Sequence, residues 1–81
     1  MNNKKETELD KIVKYTSMHR KGTRAFYGIK SKQSYKTAFR CFQKAYKLGC
    51  EDALVDIGVC YIRGYGVPQD IGKGVKIVTE C

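Results

Sequence analysis

The chain has 81 residues, of which 42% are hydrophobic and 30% charged, with a single proline and no tryptophan. This length fits one small domain, residues 1–81, with a core of marginal size, and the composition favours helices. No stretch approaches the roughly 18 apolar residues that a membrane-spanning helix needs, and residues 1–10 lack the apolar segment of a signal peptide. We therefore expect a cytoplasmic protein that makes no membrane contact.

Charge is distributed unevenly along the chain. Of the net charge of +8, residues 1–47 carry +10, from 13 Lys and Arg against 3 Asp and Glu. Residues 48–81 carry −2, from 3 Lys and Arg against 5 Asp and Glu. This asymmetry suits an acidic partner, nucleic acid or head-to-tail self-association, although a solvated basic surface would give the same counts.

The cysteines do not form a metal-binding pattern. Cys41, Cys50, Cys60 and Cys81 are separated by 9, 10 and 21 positions, and His19 is the only histidine. A zinc site would need nearly all of these scattered side chains. We expect no metal, no cofactor and reduced thiols, with Cys41 and Cys60 buried inside helices as small apolar side chains.

The first helical pattern spans residues 6–27. Gly22 interrupts it and leaves open whether the region forms one helix or two. A break at residues 28–34 follows. The apolar face of the first half consists of Leu9, Ile12 and Val13.

The second predicted helix, residues 35–48, is the most clearly amphipathic. Ser34 is placed to cap its N-terminus and Gly49 to end it in a left-handed conformation. Its polar side carries a basic stripe of Lys36, Arg40, Lys44 and Lys47.

Two further helices are predicted at residues 53–63 and 70–81, joined by a tight connection at residues 64–69. The connection contains glycines that allow positive φ and the only proline, which cannot continue the preceding helix. Asp70 is placed to cap the last helix.

The last helix contains two glycines, Gly72 and Gly74, each of which costs about 1 kcal/mol relative to alanine. We therefore expect either that packing of Val75, Ile77 and Val78 holds it in place or that the helix frays. No later segment of the pattern covers this edge, so a partner or a second copy would have to do so.

The chain is similar to itself at a shift of 36 residues, a lag typical of helix–turn–helix solenoid repeats. The matches fall at the turns and caps that a helix hairpin needs. The shift aligns Gly22 with Gly58, Gly28 with Gly64, Gln33 with Gln69, and the cap-type residue Ser34 with Asp70.

A specific motif lies in the second unit: Ala53, Ile57, Gly58, Tyr61, Gly64, Gly66, Val67 and Asp70. With these residues, residues 34–81 resemble the Sel-one-like repeat, a relative of the tetratricopeptide repeat. Residues 1–33 are expected to form an N-terminal helix or degenerate unit. The resemblance implies an all-α fold of antiparallel helix hairpins, stacked as a short right-handed α-solenoid of about two repeats. It also implies that the motif residues are structural.

The resemblance further implies a non-enzymatic protein–protein interaction module or adaptor. The residues agree, because no nucleophile–His–Asp set, catalytic carboxylate pair or phosphate-binding loop can be assembled. We expect an acidic protein partner, or self-association through the C-terminal edge. The alternatives are nucleic-acid binding through the basic face of residues 20–47 and a fragment of a longer repeat array. The candidate binding residues are Arg20, Lys21, Arg24, Lys36, Arg40, Lys44 and Lys47.

Overall fold

The computed structural model describes residues 7–80, and within them it contains four helices and no strand. Each helix packs against the next one along the chain. The fold is therefore a short stack of two helix hairpins, as predicted. The helices are α1 (Glu8–Tyr27), α2 (Tyr35–Lys47), α3 (Asp52–Arg63) and α4 (Ile71–Thr79). Cys81, predicted to end the last helix, lies outside the described residues.

Helix α1 is continuous through Gly22, which resolves the alternative of two helices in favour of one. Gly22 is buried at the crossing of α1 and α2. A Cβ at this position would lie 2.8 Å from Cε1 of Phe42 and 3.1 Å from Cβ of Cys41. The glycine therefore marks close helix packing rather than a helix end.

The first two turns of α1 extend beyond the other helices. Leu9, Ile12 and Val13 are 68%, 44% and 59% exposed, so their apolar face is not part of the core. The reason is that α3 begins only at Asp52, which lines the same cleft as Tyr15. A complete capping box between Thr7 and Asp10 holds this overhanging end in helical form.

The two hairpin turns have the same hydrogen bonds, 36 residues apart. In the first turn, Nε2 of Gln33 donates to the carbonyl of Phe26 at 3.0 Å. In the second, Nε2 of Gln69 donates to the carbonyl of Ile62 at 2.9 Å. The repeat seen in the sequence is therefore a repeat of turn geometry.

The helix caps repeat in the same way. The Ser34 hydroxyl accepts from the backbone N–H of Thr37 at 3.2 Å, and the Asp70 carboxylate accepts from that of Lys73 at 3.1 Å. Both N-caps lie where the sequence predicted them, because capping depends on chemistry within four residues. The left-handed residues that end α1 and α3 are Gly28 and Gly64.

Small side chains make up much of the core, which lies between α1, α2 and α3. The core cluster consists of Ala25, Ala38, Phe39, Phe42, Ala45, Cys50, Ala53, Ile57 and Cys60. Helix α4 is attached mainly to α3, where Ile77 and Val78 pack against Gly58. Val75, predicted to share in this packing, is 46% exposed, so that part of the expectation is wrong.

Candidate partner-binding surfaces

A stripe of four cations runs along the outer face of α2. Lys36, Arg40, Lys44 and Lys47 are exposed, and their spacing of four, four and three residues keeps them on one side of the helix. The opposite side carries the five residues that α2 buries. Helix α2 contains no acidic residue, and within residues 7–80 none of the four cations pairs with a carboxylate.

The remaining candidate cations, Arg20, Lys21 and Arg24, lie on α1 and are also exposed. Arg24 is four residues from Arg20 and three from Lys21, so the three cations lie on one solvent-facing side of α1. The structure therefore divides the predicted basic face into two sets on two helices. The set on α2 is the longer of the two, with four cations over about three helical turns against three cations over little more than one turn.

A cleft of about 320 Å³ lies where the two hairpins meet, with α1 and α2 on one side and α3 on the other. One wall is aromatic and the other carries a carboxylate. Its lining residues are Thr23, Phe26, Tyr27, Phe42, Asp56 and Val59.

The carboxylate of this cleft, Asp56, bonds to His19 across the two hairpins. Nε2 of His19 lies 2.7 Å from Oδ2 of Asp56, and both side chains are only partly buried. A carboxylate can only accept, so Nε2 carries the proton. The imidazole also lies against the ring of Phe42, with centroids 5.5 Å apart. Sequence reasoning considered His19 only as a metal ligand and missed this pair.

The turn of the second hairpin packs on the first hairpin through tyrosines. The Tyr65 ring stacks on that of Tyr35 with centroids 4.3 Å apart, and it makes a T-shaped contact with the Phe26 ring with centroids 5.2 Å apart. Gly66, next in the chain, brings the backbone against the start of α2. Tyr65 was not among the predicted site residues, because helical periodicity says nothing about where a loop residue docks.

The motif residues of the second unit lie in and around α3 and its turn. Ala53 and Ile57 are in the core, and Gly58 faces α4. The Tyr61 ring makes a T-shaped contact with the Phe39 ring, with centroids 5.6 Å apart, and the Lys73 ammonium lies over the Tyr61 ring, 4.7 Å from its centroid. The remaining motif positions belong to the turn and the next cap: Gly64, Gly66, Val67 and Asp70.

The cysteines described are free thiols in the interior. Cys41, Cys50 and Cys60 are all buried. Burial, with a smaller contribution from the negative charge of Asp56, raises the pKa of the Cys60 thiol to about 11. Within residues 7–80, no group of three His, Cys, Asp or Glu side chains is placed to hold a metal ion.

We expect Cys60 to be the slowest of the three buried thiols to react with iodoacetamide, because thiolate is the reactive form and this one is both enclosed and protonated. Mass spectrometry of partially alkylated native protein would rank the sites, with protein in denaturant as control.

The raised pKa of Cys60 also predicts that the free energy of unfolding is maintained below pH 9 and declines as the pH rises towards 11, since the unfolded chain loses this proton first. Rapid native labelling of Cys60 would contradict the expected order of reaction, and a free energy of unfolding that stays constant from pH 9 to pH 11 would contradict the pH dependence.

Two stacked helix hairpins with equivalent turns define a short α-solenoid. The family model for the Sel1 repeat matches residues 17–50 and 51–77, so the chain belongs to the Sel1 repeat family. The first match includes residues 17–33, which the sequence interpretation treated as a degenerate unit. Searches of curated proteins and of solved structures gave no significant match.

Sel1 repeats are generally protein-interaction modules, so the family supports a role in protein binding. None of the helices among residues 7–80 combines the length and apolar character needed to cross a membrane.

Proposed function

We propose that this chain is a non-enzymatic adaptor that binds an acidic segment of another protein on the outer face of α2. The observation that carries the proposal is the stripe of Lys36, Arg40, Lys44 and Lys47, none of which pairs with a carboxylate among residues 7–80. Membership of the family supports protein binding in general, and the positive charge of the stripe indicates that the partner surface is negatively charged.

The stripe is electrostatically unfavourable in the free chain. Like charges three or four residues apart on a helix destabilise it by about 0.2–0.5 kcal/mol per pair. A partner with Asp or Glu at matching positions would replace this repulsion with attraction. Such complementarity also steers the encounter and raises the association rate at low ionic strength.

A second cleft near the end of α2 has the same charge preference. This cleft of about 330 Å³ is lined by Lys11, Lys14 and Lys47, with Leu48 and Gly49. It joins the overhanging part of α1 to the stripe through Lys47. An acidic segment that follows the stripe would therefore meet further lysines at its end.

The test is affinity capture from nuclease-treated native lysate with three proteins: wild type, a stripe variant and a charge-matched control. The stripe variant carries Lys36→Gln, Arg40→Gln, Lys44→Gln and Lys47→Gln. The control carries Lys30→Gln, Lys32→Gln, Arg63→Gln and Lys76→Gln, all of them exposed positions outside the stripe. Both variants lower the formal net charge from +8 by four.

We expect wild type and control to retain the same acidic proteins, and the stripe variant to retain about tenfold less. Raising the salt concentration should weaken capture by wild type, since exposed charges are screened. Equal capture by all three proteins would contradict the proposal.

Nucleic-acid binding remains the alternative, because a line of Lys and Arg also suits phosphates. It predicts gel shifts at low salt that the stripe variant loses, and protein capture that disappears after nuclease treatment. The adaptor proposal predicts capture that survives nuclease.

Self-association through α4 remains a further proposal, supported by the exposed apolar side chains of Ile71 and Val75. Sedimentation velocity of wild type and Val75→Glu tests it, since a dimer held by this face should dissociate in the variant. The cytoplasmic location also stays a prediction.

A further inference from the structure

We propose that the cleft between α1 and α3 binds an arginine side chain of a protein partner. The inference deepens the adaptor function and rests on it, but it concerns a different surface from the cationic stripe. It is carried by aromatic rings and one carboxylate that line a single cleft.

Three aromatic residues line the cleft: Phe26, Tyr27 and Phe42. Phe26 and Tyr27 meet at 5.0 Å with an angle of 69° between their planes, and Phe26 lies 6.4 Å from Phe42. Tyr27 is 66% exposed, so a ligand can reach its ring without any change in the fold. Ring faces attract cations within about 6 Å, and a planar guanidinium also stacks on them.

The opposite wall supplies a carboxylate with acceptor capacity to spare. Asp56 accepts from His19 through Oδ2, and within residues 7–80 it pairs with no lysine or arginine. Its side chain is 39% exposed, so it remains accessible from solvent. A carboxylate has about four acceptor sites, and the contact with His19 uses one of them.

Charge and shape favour arginine over other occupants. An anionic side chain would be repelled by Asp56, and an apolar side chain would remove the carboxylate from water without giving it a new hydrogen bond. A guanidinium can interact with both sides of the cleft at once. Its N–H groups donate to a carboxylate in the guanidinium plane, and the faces of the guanidinium contact aromatic rings. The volume of about 320 Å³ leaves room for such a group.

The probe is N-acetyl-arginine amide, titrated into the ¹⁵N-labelled full chain and followed by two-dimensional NMR. The neutral control is N-acetyl-citrulline amide, which has nearly the same shape but no charge. We expect shifts of the Thr23 and Val59 amides that saturate with a Kd of about 1–10 mM for arginine. Citrulline should bind at least about tenfold more weakly.

Two variants locate the site. Asp56→Asn keeps an oxygen that can accept from His19 but removes the charge, and should weaken arginine binding about tenfold. Tyr27→Leu removes an exposed ring and should weaken it about threefold. The matched control is Asp52→Asn, which removes the same charge from α3 at an exposed residue outside this cleft and should leave the Kd unchanged.

Equal binding of arginine and citrulline, equal loss in Asp52→Asn and Asp56→Asn, or shifts confined to other residues would each overturn the proposal. The outcome is independent of the capture experiment. Arginine binding without any captured partner would support the cleft and contradict the adaptor function. Partner capture without arginine binding would do the reverse.

Discussion

Replacing Gly66 with alanine should lower the free energy of unfolding by about 3 kcal/mol. Gly66 has φ of +78°, and a Cβ built on it would lie 2.5 Å from the carbonyl oxygen of Tyr35 and 2.8 Å from its carbonyl carbon. Both neighbouring atoms are backbone at the start of α2, so no side-chain rotation relieves the clash. The turn of the second hairpin would have to move away from the first.

The first hairpin shows which part of this cost comes from the backbone conformation. The residue 36 positions before Gly66 is Lys30, which also has a positive φ, of +58°. Lys30 is exposed, and no helix of an earlier unit lies against it within the described residues. A side chain is thus tolerated at this turn position, and glycine is required at 66 mainly because one hairpin packs on the other.

Urea unfolding of Gly66→Ala and Lys30→Gly, each against wild type, would separate the two effects. Gly66→Ala should lower the midpoint of thermal unfolding by about 15 °C, whereas Lys30→Gly should leave stability unchanged or raise it slightly. Because Tyr65 stacks on Tyr35 beside this contact, near-ultraviolet circular dichroism of folded Gly66→Ala should lose tyrosine signal. A loss of less than about 1 kcal/mol in Gly66→Ala would show that the junction is not tightly packed.

These contacts also show how far the sequence predicts the structure. The caps at Ser34 and Asp70 and the turn at Gly64 were predicted at the correct residues, because each depends on groups only a few positions apart. The repeat at 36 residues places the same turn and cap residues in both units. Such local features can be predicted from the sequence without knowing how the helices pack.

The contacts between hairpins were not predictable in the same way. The apolar pattern of Leu9, Ile12 and Val13 is real, but whether it is buried depends on how far the neighbouring helix extends. The bond between His19 and Asp56 joins positions 37 apart, one more than the repeat lag. That offset places residues of α1 and α3 side by side, so the repeat could have suggested the pair, although not its hydrogen bond.

Gly74→Ala should destabilise the protein by about 1–2 kcal/mol, even though alanine is the better helix former by about 1 kcal/mol. A Cβ at this position would lie 2.5 Å from the carbonyl oxygen of Gly58 and 2.9 Å from the backbone nitrogen of Ile62. The two glycines let α3 and α4 approach more closely than a methyl group would permit. In the first hairpin, the corresponding residue is Ala38, which is fully buried, so that hairpin accommodates a methyl group at this position.

The control for Gly74→Ala is Gly72→Ala, two residues earlier in the same helix. A Cβ at Gly72 would meet nothing closer than 3.8 Å, so only the helix propensity changes and stability should rise by about 1 kcal/mol. The two substitutions are chemically identical and should have opposite signs in urea unfolding. If both stabilise the protein, α4 can move away from α3 without cost, and close packing of Gly58 on Gly74 is not what holds the last helix in place.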